Sequence, residues 1–129
     1  MGLALLLGAC ASQHRTDSTD EINTYPASYK ADIQAAIRVY LKDPTGIRDA
    51  AISEPVLKPA TVAMPARYVA CLRFNAKQTA TVYAGTKDVA ALFLAGRFDQ
   101  FIDAPKAVQE LCANATYTPF PELQNLPRY

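Results

Sequence analysis

The sequence predicts an α+β domain made of an N-terminal amphipathic helix, a three- to four-stranded antiparallel meander, and a short C-terminal helix stapled by a disulfide. Three observations predict it. Apolar residues recur at helical spacing between Pro26 and Lys42, they alternate between Arg67 and Asn75, and Cys71 and Cys112 lie in the clearest strand and in the last helical stretch.

From Pro26 to Lys42, residues Tyr29, Ile33, Ile37, Tyr40 and Leu41 recur every three to four positions, which puts them on one helical face and leaves Lys30, Asp32 and Arg38 for solvent. Thr24 is the expected N-cap, and Asp43-Pro44-Thr45-Gly46 the stop. A short strand is expected over Ile47 to Ile52, followed by a surface loop punctuated by Pro55, Pro59 and Pro65, since proline cannot join the middle of a sheet. Over Arg67 to Asn75, Tyr68, Ala70, Leu72 and Phe74 face one side, and Val69, Cys71 and Arg73 the other.

Thr79 to Ala84, Val89 to Leu94 and Arg97 to Ile102 read as further strands, separated by turns at Gly85-Thr86-Lys87-Asp88 and Ala95-Gly96. Such short connections favour an antiparallel meander, because parallel strands need long crossovers. Pro105 opens one or two helical turns through Val108, Leu111 and Cys112, and Pro119, Pro121 and Pro127 make the last segment extended. In a regular strand Phe98 and Phe101 straddle both faces, so one of the two is expected at the surface.

Half of the residues are hydrophobic and 19% are charged, which suits a single folded domain over residues 25–129. The net charge of +1 is spread without a cluster, so no nucleic-acid footprint is visible.

Residues 2–9, Gly-Leu-Ala-Leu-Leu-Leu-Gly-Ala, form an apolar run too short to span a bilayer and ending in small residues before Cys10. The motif Leu7-Gly8-Ala9-Cys10 resembles the lipobox of bacterial lipoproteins. That resemblance covers only the first ten residues or so. It implies that residues 1–9 are a removed signal peptide and that Cys10 carries acyl chains such as palmitate, two or three of which hold a protein at a membrane almost permanently. It further implies the outer membrane as the destination, because Ala11 stands where an inner-membrane protein has Asp. No Lys or Arg precedes Arg15, a departure from the basic start usual in signal peptides. Residues 10–24 are the lipidated cysteine and a polar tether, long enough to reach about 45–50 Å when extended.

Export to an oxidising compartment makes Cys71 and Cys112 a natural disulfide, with separate buried thiols as the alternative. A redox pair lacks CxxC spacing here, and a metal site would need more ligands than two thiols. The only histidine, His14, lies in the tether, which leaves the domain without a Ser-His-Asp, Cys-His or His-metal constellation. Asp49, Glu54, Asp99 and Asp103 are the carboxylates nearest strand ends, and solvated surface groups describe them better than an acid–base pair. Gly85-Thr86-Lys87 lacks the rest of a phosphate-binding loop, and Asn114-Ala115-Thr116 is too short a pattern to argue for glycosylation in a bacterial protein.

No catalytic residue, cofactor or metal is therefore assigned. The expectation is a non-enzymatic, periplasm-facing outer-membrane lipoprotein that binds another envelope protein as an assembly accessory or structural subunit. The alternative is a periplasmic inhibitor or ligand-binding module acting on a lysozyme-like enzyme or a cell-wall fragment. A carboxylate-dependent hydrolase is the third class.

Overall fold

The computed structural model describes residues 23–127, so the signal segment 1–9, Cys10, His14 and all but the last two residues of the tether lie outside the described residues. The first helix, α1, spans Tyr29–Tyr40 within the stretch read as helical. Ile33 and Ile37 are fully buried one turn apart, the pattern expected of a helix laid against a sheet. Ser28, rather than Thr24, holds the N-cap position and makes no side-chain capping bond. Beyond Leu41, the Asp43 carboxylate accepts hydrogen bonds from the Thr45 backbone N–H and hydroxyl, an Asx turn that replaces further helical bonding.

Among the described residues six antiparallel strands follow, rather than three or four: β1 (Arg48–Ile52), β2 (Val56–Lys58), β3 (Arg67–Lys77), β4 (Tyr83–Leu94), β5 (Arg97–Ile102) and β6 (Thr118–Pro119). Their order is β5-β4-β3-β1-β6, with β2 paired to β3 beyond the end of β1. Helix α2 (Pro105–Leu111) separates β5 from β6, and α3 (Pro121–Gln124) closes the described chain.

Four local expectations are corrected. The proline-rich stretch after Ile52 is not all loop, because the three residues between Pro55 and Pro59 keep their N–H groups and pair with β3 as an edge strand. Gly85-Thr86-Lys87-Asp88 is not a turn but lies inside β4; the reversal comes earlier, where Gln78 and Thr79 each bond to the Val82 carbonyl. Gly85, at φ +97°, absorbs an extra residue where the β3–β4 register slips between Asn75 and Lys77. The last segment is not wholly extended, since Pro121 sits in the first turn of α3, where a missing N–H costs nothing.

The fourth correction concerns the aromatics of β5. A register shift between Leu92 and Phe93 makes Asp99 an extra residue, so Phe98 and Phe101 share one face, with ring centroids 4.7 Å apart. Both are packed against the main core beneath α1. The bulge leaves Asp99 free to meet Arg67, whose Nη1 lies 2.9 Å from the carboxylate.

Alternation along β3 divides the interior. Tyr68, Ala70, Leu72, Phe74 and Ala76 join Ile33 and Ile37 of α1 and Phe120 and Leu123 around α3 in the main core. Val69 and Cys71 face the other way, into a smaller cluster with Leu92, Leu111 and Cys112. The Cys71–Cys112 disulfide fastens α2 to the centre of the sheet on that second face. Ala95 and Gly96, both at positive φ, form the two-residue turn of the β4–β5 hairpin. Among the described residues, no helix is long and apolar enough to cross a membrane.

Candidate binding site

The site begins at a break in the edge of the sheet. After Ile52 the chain leaves the ladder for Ser53, Glu54 and Pro55 and rejoins it as β2. Ser53 holds the break closed: its N–H donates to the Cys71 carbonyl at 2.9 Å, and its hydroxyl oxygen accepts the Cys71 N–H at 2.7 Å. That leaves β2 a three-residue strand with β3 on one side.

On its other side no strand is paired among the described residues. The row outside β1 is filled by β6, which pairs Thr118 with Ile52 and Pro119 with Ala51 and begins there. Upstream of Thr118 the chain turns onto the second face instead of running along β2. Tyr117 stacks beneath the Arg73 guanidinium, 4.2 Å from its ring centroid, and Ala115 packs against the Cys71 cluster.

A cleft of about 580 Å³ occupies the space so left, within the range of about 300–1,000 Å³ typical of ligand pockets. Val56, Val69, Cys71 and Leu111 supply its apolar surface. Its polar groups arrive from three remote segments: Lys30 on α1, Glu54 and Lys58 around β2, and Asn114 and Thr116 after α2. Neither Lys30 nor Lys58 forms an ion pair among the described residues, where the pairs are Arg67–Asp99, Arg73–Asp88 and Lys87–Asp103. The Lys30 ammonium lies 5.9 Å from the Phe120 ring, at the outer limit of a cation–π contact. Burial, with the Glu54 charge behind it, pushes the Tyr29 phenol above its usual range, so it stays a neutral hydrogen-bonding group at physiological pH.

The four carboxylates singled out from the sequence are dispersed. Asp49 sits in a bulge of β1 at φ +54°, Glu54 lines the cleft, Asp99 pairs with Arg67, and Asp103 accepts the Tyr40 hydroxyl at 2.6 Å with Lys87 at 3.7 Å. Tyr40 is pushed up to about 12, by burial first and by its bond to Asp103 second, while that same bond holds Asp103 below its usual range. No group of three or more metal-ligating side chains occurs among the described residues.

A second opening, about 560 Å³ and more exposed, runs between α1 and β5, where Ala35, Ala36, Val39, Phe98 and Phe101 form an apolar floor between Asp32 and Arg97. Of the residues weighed for chemistry or modification in the sequence, Glu54, Cys71 and the Asn114-Ala115-Thr116 triplet reach the β2 cleft. Lys30, expected at the solvent face of the helix, and Lys58 line it as well. No local pattern marks either, because the cleft joins segments up to about 90 residues apart in the chain.

Fold and cleft together define a small, disulfide-stapled α+β domain with an open cleft of mixed polarity. The chain matches no protein-family model, no curated protein and no solved structure.

Proposed function

We propose that this chain is a lipid-anchored protein of the Gram-negative envelope, acylated at Cys10, held at the outer membrane and facing the periplasm. There it binds another envelope protein as an assembly accessory or structural subunit, without catalysing a reaction. The lipobox-like Leu7-Gly8-Ala9-Cys10 supports the anchor, and the Cys71–Cys112 bond agrees with an oxidising compartment. The observation that carries the binding half is the cleft beside the outer side of β2, which no strand pairs among the described residues, because an edge strand with an open flank is a ready template for a segment of another chain.

Two measurements on the full chain test this. Cys10→Ser is expected to move the protein from the membrane fraction to the soluble periplasmic fraction, and affinity capture from detergent-solubilised membranes is expected to return one envelope protein in stoichiometric amount. Membrane retention of Cys10→Ser would refute the anchor. Recovery of the wild-type chain alone would refute the binding role.

A further inference from the structure

We infer that the β2 cleft takes an extended acidic peptide segment, added as a strand on the outer side of β2 with its carboxylates set on Lys58 and Lys30. This rests on the reading that the chain binds a protein and specifies the chemistry of what it binds.

The backbone comes first. In an antiparallel ladder, residues alternately direct their N–H and C=O groups toward the paired strand and away from it, so at least one of Val56, Leu57 and Lys58 turns both groups outward. Pro55 and Pro59 bound this stretch and cannot donate, which limits the docking edge to a few residues and protects it from open-ended pairing. Position comes second. A segment beside β2 continues the row that β6 begins at Thr118, so the added strand completes the sheet. Val56 and Leu57, 52% and 43% exposed, would be covered by it.

Charge then selects the segment. Lys30 and Lys58 line the cleft from separate elements, against the single carboxylate of Glu54, so the balance of charge favours an anionic ligand. Two cations are too few for a nucleic-acid backbone, and the apolar surface of Val56, Val69 and Leu111 suits side chains interleaved with carboxylates.

The test uses the full chain in detergent micelles and three dye-labelled octapeptides alternating Val with Glu, Gln or Lys, titrated by fluorescence anisotropy at low and at moderate salt. The Glu peptide is expected to bind, the Gln peptide roughly tenfold more weakly, as two partly exposed ion pairs would give, and the Lys peptide not at all. Lys30→Glu with Lys58→Glu, two half-buried positions outside both core clusters, should abolish the preference for Glu. Hydrogen exchange should show new protection at residues 56–58 when the Glu peptide binds. Equal affinity for the Glu and Gln peptides, binding of none, or protection at β5 instead of β2 would overturn the inference. The two proposals fail separately: a stoichiometric envelope partner with no peptide binding would leave the binding role standing on another surface. Selective peptide binding without a captured partner would leave this inference standing and the cellular role refuted.

Discussion

Replacing both Cys71 and Cys112 with Ala removes a cross-link between residues 41 positions apart. In the chain-entropy account the loss is governed by the logarithm of loop length, which for this separation gives about 4 kcal/mol. The substitution adds little cavity penalty, because each alanine keeps its β-carbon and only two sulfur atoms leave the smaller cluster of Val69, Ala90 and Leu92. Unfolding a domain of about 105 residues carries an entropy of roughly 0.2 kcal/mol/K, so Tm should fall by about 15–20 °C. The damage should also be uneven. Helix α2 has seven residues and one buried side chain, Val108, so without the staple little holds it to the sheet. Thermal unfolding followed by circular dichroism gives the first quantity, and native-state hydrogen exchange gives the second, with the hydrogen-bonded amides of Val108 and Cys112 at α2 losing more protection than those of β3. A fall in Tm below about 5 °C with α2 still protected would refute the view that this bond holds the second face together.

Three further outcomes follow from the same contacts. Asp103, held below its unfolded value of 3.8, contributes stability that is complete above that pH and lost as pH falls through its lower folded value; Tyr40, raised from 10.0 to about 12, contributes stability complete below pH 10 and lost between 10 and about 12. Tyr40→Phe should therefore flatten the urea midpoint against pH in both windows, and unchanged slopes would contradict the pairing. Gly96→Ala places a β-carbon 3.1 Å from the Thr24 methyl at φ +80°, and should cost about 1–2 kcal/mol by denaturant titration. Leu72→Ala, at a fully buried position of the central strand, should cost about 2–5 kcal/mol, whereas Val39→Ala, 88% exposed, should stay within about 0.5 kcal/mol.

What was legible in the sequence is what local spacing controls. Ile33 and Ile37 announce a helix face because two buried residues four apart must share a side, and the alternation from Tyr68 to Phe74 announces a strand for the same reason at period two. The cysteine pair was legible from its chemistry. What escaped depends on residues that break a period. Gly85 and Asp99 each insert one residue into a strand, so a four-residue polar run became the inside of β4 and two phenylalanines three apart came to share a face. The short strand between Pro55 and Pro59 escaped because proline signals exclude a central strand but permit an edge. The cleft escaped for a different reason: Lys30, Glu54, Lys58 and Thr116 share no periodicity, and only the break at Ser53 and the departure of the chain above Thr118 bring them together.

The most direct test of the proposal that a membrane-tethered chain holds a partner at the β2 edge is photo-crosslinking in intact cells. A photoreactive side chain is placed singly at Val56 and at Thr116, which line the cleft, and at Val82, which is half exposed in the distant β3–β4 turn. The account predicts one discrete envelope-protein adduct from both cleft positions, none from Val82, and loss of the adduct when Cys10→Ser releases the chain from the membrane. Adducts from Val82 equal to those from the cleft, or none from either cleft position, would contradict it.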